Sequence, residues 1–323
     1  MASVGIIANP SAGKDIRRLV ASGRVISNQE KANIITRFVK GLAHKGLKDI
    51  YFMPDKASLY GPCTEEFKDL LNINFLDTKY YDGPEQTLYA AKLINNIGCD
   101  CVLVLGGDGT NRLVAKNIGN IPIVPISTGT NNAFPIIIDP TVAGLAAGFF
   151  IQSKQKKIKK SLISQKSKLT VSIDEKYQDI ALIDMAISNQ NFVGSKAIWD
   201  PNVLDQLFLT QSDPISIGLS AIGSKVTQIP KNHAIKLEFS KEGEKVYAPI
   251  APGLISEIFI NNWELFSYNK KYTLSNYSGT IALDGEREIE IYKKNKIEIT
   301  LQKEGPFVLD VIKSVHQENL LKN

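Results

Sequence analysis

The first half of the chain alternates two hydrophobic patterns. Short apolar runs stand at Ser3–Ala8 (SVGIIA), Cys101–Leu105 (CVLVL) and Ile121–Ile126 (IPIVPI), with a strand-like run at Asp49–Met53. A run that is apolar at every position suits a strand buried on both faces, as in a parallel sheet covered by helices. Between them, Ile34–Leu42, Pro84–Ile97 and Thr141–Gln152 read as helices; Ala90, Leu93, Ile94 and Ile97 show the spacing. Strands alternating with helices predict an α/β unit. The two prolines of Ile121–Ile126 predict an edge or terminal strand there.

After residue 168 the pattern shifts to alternation. Leu169–Ile173, Asp179–Ser188, Ile215–Ser220, Ala234–Phe239, Leu254–Asn261, Gly279–Leu283, Glu288–Tyr292 and Lys296–Leu301 read as strands. Ile289 and Ile291 flank Glu290, and Ile297 and Ile299 flank Glu298, as in half-buried antiparallel strands. A boundary is expected near residues 153–165. This divides the chain into an α/β nucleotide-binding domain over 1–155 and a mostly β domain over 160–305. The segment 306–323, with Phe307–Val315 as a strand or helix, is expected to return to the first domain.

Composition narrows the classes. The 323 residues are 43% hydrophobic and 22% charged, which excludes a disordered chain, a collagen-like repeat and a disulfide-stapled miniprotein. The longest apolar run, Val142–Ile151, is ten residues, against the roughly 20 that a membrane span needs. No signal peptide is expected. Cys63, Cys99 and Cys101 are odd in number, which points to reduced thiols in a cytoplasm. The net charge of +5 is concentrated in residues 154–168, which hold seven lysines and no acid. The remainder has 31 basic and 33 acidic residues, which argues against a nucleic-acid partner. The lysine run reads as a solvated linker and edge strand, or as an electropositive lip for a phosphorylated ligand or anionic membrane.

Candidate chemistry concentrates in three loops that follow apolar strands. Gly106-Gly107-Asp108-Gly109-Thr110 follows CVLVL. Its glycines let backbone approach a bulky anion, and its amides with a helix N-terminus can hold phosphate oxygens. Thr110 is expected to cap that helix. Asp108 falls at the carboxyl end of a strand, where open α/β sheets place ligands, and is suited to accept a hydroxyl proton or assist Mg²⁺. Asn9-Pro10-Ser11-Ala12-Gly13-Lys14 and Ser127-Thr128-Gly129-Thr130-Asn131-Asn132 offer hydroxyls and amides for a nucleotide. Each alone also reads as a plain turn; if all three share one sheet edge, they converge on one crevice. Leu283-Asp284-Gly285-Glu286 reads as a hairpin turn. If it faces the crevice, its acids can bind Mg²⁺ or orient an acceptor. Walker A, dinucleotide, nucleophile-elbow and zinc spacings are not matched.

Together these segments resemble the superfamily of NAD kinases and diacylglycerol/sphingosine lipid kinases. A closer resemblance is to the ATP-NAD kinase-like acetoin-catabolism protein X family. The resemblance runs through GIIANPSAGKDIRRLV (5–20), VLGGDGTNRLVA (104–115), STGTNNAFP (127–135), TVAGLAAGF (141–149), FVGSKAIW (192–199), SIGLSAIGS (216–224) and GTIALDGEREIEI (279–291). It implies an α/β domain with a parallel sheet, a mostly antiparallel β-sandwich, and a cleft between them that takes ATP and Mg²⁺. It implies nucleotide contacts by Asn9, Gly13, Gly106, Gly107, Gly109, Thr110, Thr128, Gly129, Thr130, Asn131 and Asn132. It implies catalysis by Asp108 and Asp284, and metal binding by Asp284 and Glu286. The default acceptor is the adenosine ribose 2′-hydroxyl of NAD; the alternatives are a lipid or small polyol, or a non-catalytic nucleotide-binding regulator. A cytoplasmic homodimer is also consistent with the family. The Asn-Glu dipeptide of NAD kinases is absent from this sequence, and Asp184 is a candidate near that place.

Overall fold

The structure, a computed structural model, describes residues 2–13, 21–23, 25–79, 82–129, 132–190 and 200–322, with backbone alone at 287, 288, 321 and 322. The chain opens with β1 (Ser3–Ala8), α1 (Asn28–His44), β2 (Asp49–Phe52), α2 (Gly61–Phe67), β3 (Asn72–Phe75), α3 (Gly83–Ile97) and β4 (Cys101–Gly106). It continues through α4 (Asp108–Asn117), β5 (Ile123–Ser127), α5 (Pro140–Gln152), α6 (Lys156–Ser161) and β6 (Ile163–Gln165). The β-rich part follows with β7 (Lys168–Ile173), β8 (Lys176–Ala181), β9 (Asp184–Ser188), β10 (Leu204–Leu209), α7 (Leu219–Gly223), β11 (His233–Ala251) and β12 (Leu254–Ser267). Then come β13 (Lys271–Leu274), β14 (Gly279–Leu283), β15 (Glu286–Ile291), β16 (Ile297–Gln302), β17 (Phe307–Leu309) and α8 (Val311–Lys322).

The first sheet runs β3-β2-β1-β4-β5-β17-β6, and every pairing from β3 to β17 is parallel. Its strands are apolar throughout because both faces are covered. Val4, Ile6, Leu103 and Leu105 face one core, which Ile35, Phe38, Ala143 and Ala147 of α1 and α5 complete. Ile7, Val102 and Val104 face the other, against Ala90 and Ile94 of α3 and Val114 of α4. Ser27 caps α1, the Glu30 amide donating to its Oγ at 3.1 Å. Helices α1 and α5 meet backbone to backbone. A Cβ on Gly41 would lie 2.6 Å from Thr141 O and 2.7 Å from Leu145 N.

The rest is antiparallel, a six-stranded sheet β12-β11-β10-β9-β14-β15 and a four-stranded sheet β13-β16-β7-β8. Met185, Ile187, Phe208, Ile281 and Leu283 of the first meet Leu169, Val171, Ile297, Ile299 and Leu301 of the second in one core. Helix α7 covers the outer face of the larger sheet through Leu219 and Ile222. The two halves share apolar packing, because Ile180, Leu182 and Ile183 belong to the cluster of Val104, Val114 and Phe134.

Several expectations need correction. Strand β5 is interior, between β4 and β17. Its Pro125 is tolerated because its missing N–H falls on the side where the Ser127 amide reaches Ile136 O, away from β4. Ile215–Ser220 is not a strand: Gly218 takes φ 96°, ψ −163°, a region essentially closed to side chains, and α7 starts there. Asp179–Ser188 is two strands, broken at Leu182 and Ile183. Strand β10 escaped notice because a bulge between Leu204 and Gln206 disrupts its alternation. The lysine run forms α6 and then β6, an edge strand. The chain end supplies both β17, beside β5 in the first sheet, and α8.

The α1–α5 crossing yields a test. Alanine favours a helix over glycine by about 1 kcal/mol, but overpacking costs about 1–3 kcal/mol. Because the clashing atoms at Gly41 are backbone, Gly41→Ala is expected to lower the urea midpoint. A raised midpoint contradicts the close crossing.

Candidate functional site

Strands β1, β4 and β5 are neighbours, so their carboxyl ends bring the three loops to one sheet edge. Asn9 joins the first loop to the second. Its amide donates to Leu105 O at 2.9 Å and its Nδ2 to Thr110 Oγ1 at 3.0 Å, while its Oδ1 accepts from the Ser11 amide at 2.8 Å. Thr110 therefore serves Asn9 and does not cap α4; the N-cap is Gly107, without a side-chain hydrogen bond. Gly13 turns the first loop with φ 78°. Beneath it lies Lys31, fully buried, whose Nζ donates to the carbonyls of Asn9, Pro10 and Ala12 at 3.2, 2.9 and 3.0 Å.

The second and third loops interlock. The Thr128 amide donates to Gly106 O at 3.1 Å, and within the third loop Asn132 Nδ2 donates to Ser127 Oγ at 2.8 Å. Asp108 reaches across: its Oδ1 accepts from the Phe134 amide at 2.8 Å and its Oδ2 from the Ala133 amide at 3.0 Å. The glycines are needed first for this packing. A Cβ on Gly106 would lie 2.5 Å from Thr110 Cβ, one on Gly107 2.8 Å from Asn132 Oδ1, and one on Gly129 2.5 Å from Asn132 Nδ2. At Gly109 the nearest atom is Glu286 Oε1, at 3.7 Å. The acidic turn thus meets the glycine loop. Thr130 and Asn131 lie outside the described residues, as do Lys14 and the FVGSKAIW segment up to residue 199.

The Asp284-Gly285 pair is a two-residue hairpin turn with φ 50° and 79°, joining β14 to β15. It is also part of the cleft, so the two readings coincide. Asp284 Oδ1 accepts from the amides of Leu182, Ile183 and Asp184 at 3.0, 2.7 and 3.2 Å, where β8 and β9 part. Its Oδ2 accepts from Leu182 at 3.0 Å and lies 3.8 Å from Arg112 Nε. In return, Asp184 Oδ1 accepts from the Gly285 amide at 2.9 Å. Asp284 thus spends both oxygens on backbone amides, as Asp108 does on those of Ala133 and Phe134. The geometry of Asp284 is that of a clamp.

Arg112, one turn after Asp108 on α4, also holds Asp179 of β8 through Nη1 at 3.1 Å. Lys116 Nζ meets the same aspartate at 3.0 Å, and Gln211 Nε2 donates to Ala133 O at 2.9 Å. Sequence reading missed Lys31, Arg112, Asp179 and Gln211. For Lys31 a signal exists: it falls on the stripe of Ile35, Phe38 and Leu42, where an apolar residue is expected.

Between the halves lies a small cavity with Asp108, Asp184 and Asp284 in its lining. The first turn of α4 reaches it through Asp108, and uncapped first-turn amides there suit phosphate oxygens. The Thr128 hydroxyl is buried without a partner among the described residues. Among those residues no three metal-ligating side chains cluster. Asp108 at the start of α4 and Glu286 beside Gly109 are acids of this edge.

The ATP-NAD kinase N-terminal domain family matches residues 4–153, and the acetoin catabolism protein X C-terminal domain family matches residues 167–304. Acetoin catabolism protein X of Cupriavidus necator is 33% identical over 95% of this chain and 90% of its own. Yeast NADH kinase, solved with NADH, aligns over 98% of this chain and 87% of its own, with a TM-score of 0.53 and 12% identity. That likeness is one of fold.

The Asp284 clamp gives a signed pH prediction. Burial raises its carboxyl to about 6, against the pull of Arg112 and the Ile183, Leu182 and Asp184 amides. The folded chain then holds this proton more tightly than the unfolded chain. The associated stability is present below about pH 4 and lost as pH rises through about 6. In urea titrations, the stability gap between wild type and Asp284→Asn is expected to narrow from about pH 4 to pH 7. A widening gap contradicts this.

Proposed function

This chain belongs to the acetoin catabolism protein X family, and we propose that it is an ATP- and Mg²⁺-dependent phosphotransferase acting on a hydroxyl acceptor. The observation that carries the reading is the convergence of three small-residue loops with Asp108 and Glu286 at one sheet edge. Pure binding needs the loops but not an acid facing them. The ATP-NAD kinase N-terminal domain family matched over residues 4–153 supports the same reaction class.

In this proposal Asn9, Gly13, Gly106, Gly107, Gly109, Thr110, Thr128, Gly129 and Asn132 shape the nucleotide-phosphate side, as would Thr130 and Asn131. Lys31 keeps the first loop in place. When bound, Mg²⁺ would supply charge neutralisation at the phosphates, with Glu286 to hold it. Asp108 accepts the acceptor's hydroxyl proton. The freed oxygen bonds to the γ-phosphorus, the bond from phosphorus to the bridging oxygen breaks, and ADP leaves with that electron pair. Positioning and electrostatics supply most of the rate. Arg112 and Asp284 position the acid-bearing turn against α4.

No helix among the described residues is long and apolar enough to cross a membrane. The three cysteines are free and buried, which supports a reducing, cytoplasmic setting.

The test is ADP release from ATP·Mg²⁺, with NAD as reference acceptor and the product identified by mass. Asp108→Asn, which keeps one acceptor oxygen, is expected to lower kcat about 10²–10⁴-fold, the usual share of general acid–base catalysis, and to leave nucleotide affinity within a few-fold. Saturable nucleotide binding with no turnover on any hydroxyl acceptor overturns the enzyme reading in favour of a regulator.

A further inference from the structure

The lysine run stands away from the cleft. Val308 of β17 pairs with Ile123, the first residue of β5, and Ser164 of β6 pairs with Val308. Helix α5 ends at Gln152, whose Nε2 donates to Lys45 O, just before β2 begins. Both contacts lie at amino ends of the parallel strands, whereas the three loops leave from carboxyl ends. Of the roles expected of the run, a lip for a phosphorylated ligand of the cleft is therefore not met. Guarding an edge strand accounts for Lys166, which flanks β6, but not for four lysines on α6.

Those lysines are unusual in having no acid beside them. Lys154, Lys156, Lys157 and Lys160 are exposed, and Lys159 lies over the Phe150 ring at 5.3 Å. No acid occurs between Asp139 and Asp174. None of the five forms an ion pair among the described residues. Elsewhere the surface pairs its lysines: Lys68 with Glu65, Lys245 with Glu257 and Lys270 with Glu264. Apolar side chains share the lysine corner. The Asp310 amide donates to Leu162 O at 2.8 Å, which ties the start of α8 to the end of α6. On α8, Val311 and Ser314 are buried, while Ile312, His316 and Leu320, spaced i, i+4 and i+8, face outward. Ile312 is 66% exposed and Leu320 70%.

A partner for this corner must be anionic and must accept apolar side chains. A second copy presenting the same face sets lysine against lysine. Nucleic acids are gripped by arginine forks and stacking aromatics, and neither residues 153–168 nor α8 contains an arginine, phenylalanine, tyrosine or tryptophan. An anionic bilayer needs neither. Its field attracts flexible lysines, and its headgroup region takes up apolar side chains.

We propose that α6 and the outer face of α8 form a docking surface for a bilayer rich in anionic phospholipid. The contact is adsorption, since no helix among the described residues is long and apolar enough to cross a membrane. It leaves the three loops, at the other end of the sheet, open to soluble ligands. The inference stands apart from the phosphotransferase reading and does not depend on it.

The experiment is co-sedimentation of the full chain with vesicles of phosphatidylcholine alone or of equal parts phosphatidylcholine and phosphatidylglycerol. Saturable binding is expected to the mixed vesicles only, weakening at least about tenfold between about 0.1 and 0.5 M salt. The triple variant Lys156→Gln, Lys157→Gln, Lys160→Gln is expected to bind about 10²-fold more weakly, since each lysine near such a surface contributes about fivefold. Ile312→Ser is expected to weaken binding a few-fold at unchanged charge. A control of equal net charge, Lys68→Gln, Lys245→Gln, Lys270→Gln, is expected to bind like wild type. All these positions are exposed, so Tm is expected to stay near that of wild type. Four results overturn the proposal: no binding to the mixed vesicles, equal weakening in the control, unchanged binding in Ile312→Ser, or tighter binding to duplex DNA at equal phosphate concentration.

Discussion

The Asp284 carboxylate gathers three successive backbone amides at the break between β8 and β9, and Arg112 of α4 comes up behind it. The arrangement depends on this one buried group. Breaking a strand frees backbone donors that water cannot reach, and such donors must find partners. Asp284 supplies them all from one side chain, in a turn whose positive φ places it there. Because Arg112 also holds Asp179, the helix that begins at Asp108 is tied to both β sheets. The acidic turn is thereby held within reach of the glycine loop. Buried charges of this kind persist when paired and hydrogen-bonded, and removing one partner is costly.

The same economy of partners shapes the phosphate side. Asn9 and Asp108 each spend their side chains on another loop, so the three loops form one assembly. Lys31 adds a buried ammonium under the first loop. Charge in this cleft is therefore mostly negative and mostly fixed. In the proposed reading, a nucleotide's phosphates meet the amides and the helix N-terminus of this edge.

Much of the fold could be read along the chain. Apolar runs such as CVLVL located the inner strands, because a covered parallel sheet leaves no polar face. The three loops were legible as candidates, since each follows such a run. The rest depended on tertiary context. Pro125 misled because its missing N–H faces away from the paired neighbour, which only the assembled sheet decides. The bulge in β10 hid its period. Glycines 106 and 107 looked like room for a ligand, yet the nearest atoms belong to Thr110 and Asn132. Asp284 looked like a free acid because its three amide partners lie about a hundred residues earlier.

Hydrogen–deuterium exchange of the full chain, with and without ATP·Mg²⁺, tests the central claim most directly. Nucleotide is predicted to slow exchange over residues 9–13, 106–110 and 127–134 together, at one saturable affinity that falls when Mg²⁺ is removed. No protection at these loops, or protection confined to another face of the molecule, contradicts the account.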